Sequence, residues 1–555
     1  MKQRLRAVML RSLERAVAAG DLPALEPPPF AVELPRQAQH GDLAVNLAML
    51  LAGPCRMNPR AIAEVLLAHL ADDDGLVQKA EVAGPGFINF FLKPSAWLAV
   101  IRRVLVAGDD YGRSDIGGGQ KVLLEFVSAN PTGPLHVGHG RGAVLGDVLG
   151  RLLAFTGHQV TREYYLNDAG NQMATLGRSV LIRARQAAGS GEPFPEKHYQ
   201  GAYIKDLAEQ LTADDRGRRL LEMDQDQAVA LAAEFAAAKI LEGIREDLEL
   251  FGVGFDNYFS EKSLVTGGAV AQALDSLRQK GLIYDQDGAT WFKASDHGDE
   301  KDRVVVRSSG EITYFASDIA YHLDKFDRGF ERLIDVWGAD HHGYVPRLKG
   351  AVAAAGHAPE DLEVVLVQMV NLLRGGEPVA MSTRAGEFVT LRQVVDEVGA
   401  DSARFIFLTR RAEAPLDFDL EVAKAQSMDN PVFYVQYAHT RVCSVMRKAA
   451  QAGFTPPEPA AADLSVLASD DETALARSLD QFGEVVAAAA ANLEPHRLTY
   501  YLTDLAGAFH SYYHTHHILV DDPDLAGARY LLAQAVGRVL AVGLGLLGVS
   551  APEVM

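Results

Sequence analysis

The residues His136-Val137-Gly138-His139 set two imidazoles around a single glycine. Placed at the amino terminus of a helix, where unpaired N–H groups already favour negative charge, both rings can turn toward a polyphosphate. There they can donate hydrogen bonds to oxygens that gain charge during attack at phosphorus. Gly138 keeps the wall low, so an adenine ring could lie against the backbone. The plainer alternative is a pair of surface histidines in a loop. A second candidate lies far along the chain, in Met381-Ser382-Thr383-Arg384-Ala385-Gly386. A glycine-flanked loop carrying a hydroxyl and a guanidinium could close over departing β- and γ-phosphates. The alternatives there are a surface hairpin or one half of an exposed ion pair, which contributes little.

Such groups need a frame. The apolar run 122–127 leads into a Pro/Gly-rich turn, and a helical pattern follows with Leu145, Val148, Leu149 and Leu152 on one face. Thr156-Gly157 stops the helix, and residues 160–166 supply a second β-branched and aromatic run. The result is a βαβ unit whose ligand site lies at the carboxyl end of its first strand. A further strand is expected over 362–366, ahead of the second candidate loop.

Long segments around these motifs resemble the class I aminoacyl-tRNA synthetases, and among them the arginyl-tRNA synthetase family. HVGH is similar to the family's HIGH signature, extended upstream as SANPTGPLHVGH, and AMSTRAG takes the place of the KMSK loop. The likeness runs nearly end to end: HGDLAVNLAM (40–49), AGPGFINFFL (83–92), YYLNDAGNQ (164–172), EDLELFGVGFDNYFSE (246–261), ITYFASDIAYH (312–322), VWGADHHGYVPR (336–347) and NPVFYVQYAHTR (430–441). One departure stands out. Ala380 and Thr383 replace the loop lysines, and Gly133 occupies the position where some members carry a lysine before the first histidine. Arg384 is the nearest cation in that loop, and its planar fork engages phosphate differently from an ammonium.

The resemblance implies ATP-dependent activation of L-arginine and transfer to tRNA(Arg), with Mg²⁺ accompanying ATP. It assigns His136, His139, Ser382 and Arg384 to catalysis, and Gly138, Gly338, Asp340 and Met381 to ATP. Asp318 and Tyr314, one helical turn apart, would face the guanidinium. Asn130, Ser128 and His136 would hold the amino-acid head, with Glu125 and His341 as further pocket residues. A guanidinium site needs such acceptors, because unpaired buried donors cost far more than a misplaced methylene. Local alternatives exist: a cap or surface acid for Asp318, core packing for Tyr314, and a buried strand end with a satisfied histidine pair for VWGADHH. In the carboxyl-terminal helices Tyr434, Gln436, Tyr437, His439 and Arg441 could stack on and bond to unstacked bases, although Tyr434 and Ala438 also suit a core.

Composition bounds the rest. With 555 residues and 48% hydrophobic content the chain can build roughly three or four domains around sizeable cores. The expected class is multidomain α/β. Residues 1–115 would form a small α+β amino-terminal domain that contacts tRNA. Residues 120–425 would form a Rossmann-type parallel-sheet catalytic domain with an insertion at about 180–305, and 426–555 an all-α anticodon-binding domain. Leu5, Val8, Met9, Leu13 and Val17 make one apolar stripe, so the basic amino terminus reads as an ordinary helix rather than a transit peptide. The apolar stretch 536–549 is broken by Arg538 and glycines, which argues for a core helix and no membrane span. Two cysteines, Cys55 and Cys443, support neither a disulfide framework nor a zinc cluster, so no metal site and a cytoplasmic monomer are expected. The histidines of YYHTHHIL (512–519) suit packing or RNA contact. A net charge of −20 opposes nucleic-acid binding unless basic tracks such as 2–15 and 441–448 stand apart from the acids. Three other functions fit parts of the pattern: a small-molecule nucleotidylyltransferase, a catalytically silent RNA-binding relative, and a class I enzyme for another amino acid.

Overall fold

The computed structural model describes residues 1–35, 37–379 and 389–555. Helix α1 (Lys2–Ala18) buries Leu5, Val8, Met9 and Leu13 against a four-stranded antiparallel sheet of β1 (Val32–Glu33), β2 (Leu43–Val45), β3 (Val77–Ala83) and β4 (Phe87–Leu92), in the order β1-β2-β4-β3. Helix α2 (Pro94–Ala107) then leads toward the catalytic unit. Its arginines reach the far end of the chain, with Arg102 donating to the carbonyls of Pro459 and Ala462 and Arg103 pairing with Asp480.

The catalytic sheet begins with β5 (Lys121–Glu125), whose Val122, Leu123 and Leu124 are fully buried, as befits a strand covered on both faces. Helix α3 (Val137–Phe155) crosses over to β6 (Gln159–Leu166), and the chain continues through α4 (Asn171–Ala187) and the long α5 (Gln225–Leu250) to β7 (Asn257–Ser260). After α6 (Glu261–Thr266) come three antiparallel strands, β8 (Ile283–Gln286), β9 (Ala289–Phe292) and β10 (Arg303–Val306). Helix α7 (Tyr314–Asp327) returns the chain to β11 (Arg332–Gly338) and β12 (Leu362–Val367) on the other side of β5. The order is β12-β11-β5-β6-β7 with every pairing parallel. Strand order reverses between β5 and β11, the switch point where open α/β sheets take ligands. The expected insertion is therefore not continuous. Its interval contains β7, a four-residue strand paired with β6 in the main sheet.

Strands β13 (Val370–Arg374), β14 (Glu377–Pro378) and β15 (Leu416–Asp419) form a small sheet beside α8 (Leu391–Val398) and α9 (Ala400–Phe407). The remainder is helical: α10 (Pro431–Gln451), α11 (Asp470–Ala491), α12 (His496–Thr515) and α13 (Pro523–Leu546). By length and hydropathy α13 could cross a membrane, but most of it is buried in the bundle. Two buried guanidiniums fasten α3 to these parts. Arg141 donates to the carbonyls of Gln368, Arg411 and Ala414. Arg404 on α9 reaches Asp147 of α3, the carbonyls of Phe251 and Gly252 after α5, and that of Leu547 after α13.

Candidate active site

His136 is the N-cap of α3. Its Nδ1 accepts the Gly138 N–H at 3.1 Å, while its own N–H donates to His139 Nδ1 at 3.2 Å. A backbone N–H can only donate, so both Nδ1 atoms are lone-pair acceptors and both protons sit on Nε2. The rings stack with centroids 3.7 Å apart. Burial lowers both pKa values, that of His139 to about 3 with help from the adjoining His136. The pair is thus a set of neutral donors at a helix amino terminus. A Cβ on Gly138 would lie 3.0 Å from His136 Cε1, so glycine also makes room for the folded-back ring.

The loop ahead of this cap is strained. Strand β5 stops at Glu125 rather than at Val127, because Val127 and Ser128 take φ of 66° and 41°. A β-branched residue pays heavily for that conformation. The surroundings enforce it: Ser128 Oγ donates to Glu125 Oε1 at 2.9 Å and accepts the Tyr165 N–H at 3.1 Å, and Tyr164 Oη donates to the Ala129 carbonyl. Asn130 Nδ2 donates to Gln172 Oε1 at 2.8 Å. Gly133 lies beneath Tyr203, whose Oη would be 3.0 Å from an added Cβ, so a lysine there would displace that ring.

Beside the loop, α7 presents Asp318, His322 and Lys325 at helical spacing. The fully buried Lys325 Nζ donates to Glu125 Oε2 at 2.6 Å and to Asp335 Oδ1 at 2.8 Å. Burial opposes its charge, but the two carboxylates raise its pKa. Burial likewise opposes ionisation of Asp335, yet Lys325 and His322 hold it at about 2. His322 sets one ring nitrogen on Asp335 and the other on the Asp318 carbonyl, both at 2.8 Å. Glu125 is raised by burial against the pull of Lys325. Asp318 is raised by burial too, and accepts a hydrogen bond from Tyr344 Oη. Glu261, the first residue of α6, is 5% exposed and has an Oε2 with no partner among the described residues.

The expected residues fall into three groups. Glu125, Ser128, Asn130, His136, His139 and Asp318 line the carboxyl end of the sheet, and Tyr314 stands exposed one turn before Asp318. Gly338 ends β11, and Asp340 and His341 lie just past it on an exposed turn, so VWGADHH closes a strand without a buried histidine pair; His341 is 64% exposed. Met381, Ser382 and Arg384 lie outside the described residues. The chain rejoins at the histidines, where Thr390 bridges His136 and Val137 N–H meets the Val389 carbonyl at 3.3 Å. Lys325, Asp335, Tyr344 and Glu261 were not singled out in the sequence. Lys325 and His322 could have been found from their i+7 and i+4 spacing to Asp318, and Glu261 from its place at the end of a parallel strand.

Two of the proposed RNA contacts need correction. Gln436 is buried, with Nε2 on Asp401 Oδ2 (2.9 Å) and the Ser550 carbonyl (3.0 Å), and buried His439 bonds to the Pro552 carbonyl at 3.0 Å. Both side chains spend their polar atoms inside the protein. Half-buried Tyr434 packs edge-on against His510, whereas Arg441 lies over Tyr437 at 4.6 Å and Tyr513 at 5.2 Å. Part of the basic track on α1 is paired with acids: Lys2 with Glu484 and Arg15 with Asp73.

Three family models cover nearly the whole chain: an arginyl-tRNA synthetase N-terminal domain over residues 3–92, a class I (R) tRNA synthetase catalytic domain over 100–422, and a DALR anticodon-binding domain over 435–555. The chain belongs to the arginyl-tRNA synthetase family. Arginine–tRNA ligases from Desulfosudis oleivorans and Syntrophotalea carbinolica are 55% and 52% identical over the full length of both chains. The arginyl-tRNA synthetase structure from Thermus thermophilus matches with a TM-score of 0.74 at 26% identity, covering 99% of this chain and 100% of that one. As an arginine–tRNA ligase the enzyme joins L-arginine to tRNA(Arg) at the expense of ATP.

Proposed function

We propose that the crevice between β5 and β11 activates arginine in the following way. ATP lies across the amino terminus of α3, bringing Mg²⁺ with its phosphates. The arginine carboxylate attacks the α-phosphorus, and His136 and His139 donate from Nε2 to phosphate oxygens as pyrophosphate leaves. Ser382 and Arg384 serve the leaving group. Gly138, Gly338, Asp340 and Met381 border the nucleotide. Asp318 and Glu261 accept the guanidinium, with Tyr314 and His341 closing the pocket and Ser128 and Asn130 holding the amino-acid head. Glu125 has both oxygens engaged by Ser128 and Lys325, which suits a residue that shapes the pocket floor. The terminal ribose hydroxyl of tRNA then attacks the carbonyl of the adenylate and releases AMP, with positioning as the main contribution. Tyr434, Tyr437 and Arg441 meet unstacked bases. The enzyme works as a cytoplasmic monomer.

The observation that carries this reading is the tautomer-locked histidine pair set beside a carboxylate-lined pocket. Pyrophosphate exchange in the presence of tRNA, run across all twenty amino acids, tests it. Arginine alone should support exchange, and His139→Ala should lower the rate about 100-fold, as loss of one transition-state donor does. Equal exchange by the variant would remove the histidines from catalysis.

A further inference from the structure

Around the Tyr165 side chain the structure gathers four carboxyl groups, Glu125, Asp168, Glu261 and Asp318. The basic side chains beside them are already committed. Lys325 serves Glu125 and Asp335, His322 serves Asp335, and Arg347 is bound to Asp299. Lys262, next to Glu261, turns toward Glu234 at 3.5 Å. The helix Ala269–Gln279 packs on α6 and buries only Val270, Ala273 and Leu277. Asp168 has its own donors in Ser260 Oγ and the Lys262 N–H, and Asp318 has Tyr344. Glu261 receives hydrogen bonds from Tyr165 and Ser317, yet its buried Oε2 has no partner among the described residues. Nor do three His, Cys, Asp or Glu side chains among those residues form a metal-ion cage. A carboxylate so enclosed, facing other carboxylates, needs a positive charge on itself or beside it.

We propose that arginine binding is proton-linked: the free pocket keeps a proton on the Glu261 carboxyl, and the incoming guanidinium displaces it to solvent. The inference rests on the reading that this pocket takes the arginine side chain. Burial, and then the charges of Asp318 and Asp168, push Glu261 up to about 7. A guanidinium beside it reverses the sign of its surroundings and lowers that value. Protons are therefore released on binding, and affinity for arginine rises with pH. Below the free-pocket value each pH unit weakens binding about tenfold, and above it the affinity levels off.

Titration calorimetry of the full chain with L-arginine at pH 7, in phosphate and in Tris, counts the protons from the difference in buffer ionisation heat. About half a proton leaves per arginine bound, and the E261Q variant releases none. Arginine binding without proton release in the wild type overturns the proposal, as does undiminished release from E261Q. If L-arginine fails to bind while another amino acid binds, the assignment of the pocket to arginine is what falls. Should E261Q not bind, infrared spectra of the wild type decide. A protonated-carboxyl band lost on adding L-arginine supports the linkage, and an unchanged band overturns it.

Discussion

Single residues carry the chemistry here by having their protonation states set in advance. Each ring of the histidine pair has its Nδ1 filled by a backbone N–H, and burial lowers both pKa values, His139 to about 3. His139 should gain no charge between pH 6 and 8, so kcat over that range should show no inflection from it; a titration removed by His139→Gln would contradict this. Asp318 differs: burial raises its pKa, and Tyr344 Oη donates to it. Asp318→Asn should cost about 2–4 kcal/mol of arginine binding, roughly 30- to 1,000-fold in KM, with the KM for ATP little changed. Initial rates against each substrate separate the two effects. The histidine motif was visible in the sequence because its spacing is local. Lys325 was not, because its partners Glu125 and Asp335 lie 200 and 10 residues away and meet it only once the sheet is built.

Elements succeed or fail by how closely they approach. A Cβ added to Gly146 would lie 2.2 Å from the Phe126 ring, so α3 packs on the strained loop with no space left. Gly146→Ala should cost about 1–3 kcal/mol and depress kcat, since Phe126 directly precedes Val127 and Ser128; thermal unfolding and initial rates check the two parts. Periodicity located these elements well. The helical pattern expected after the Pro/Gly-rich turn is Val137–Phe155, and the strand expected over 362–366 is Leu362–Val367. It failed where tertiary contacts decide. Val127 reads as strand by propensity and is forced to positive φ by its neighbours, and β7 is too short to announce itself before β6 pairs with it.

At the scale of the whole molecule, the net charge of −20 and the pairing of Lys2 and Arg15 with acids narrow the phosphate track that α1 can offer. Arg15→Ala should leave the KM for tRNA within about twofold, because its charge is already matched by Asp73. Arg441→Ala should raise that KM about tenfold while the affinity for arginine stays constant, since it removes the guanidinium stacked between Tyr437 and Tyr513. Aminoacylation kinetics with tRNA(Arg) distinguish the two.

The Arg404 junction reaches into how the polypeptide is made. Asp147 is fully buried on α3, where it pairs both with Arg151 one turn on and with Arg404, 257 positions later, and the Arg404 guanidinium also donates to the Leu547 carbonyl. On the ribosome, the nucleotide-binding half emerges with Asp147 already matched by Arg151, but without the guanidinium that ties it to the later helices. The bond from Arg404 to the Leu547 carbonyl closes last, so the docking of the final helix onto the nucleotide-binding half is a late step of folding.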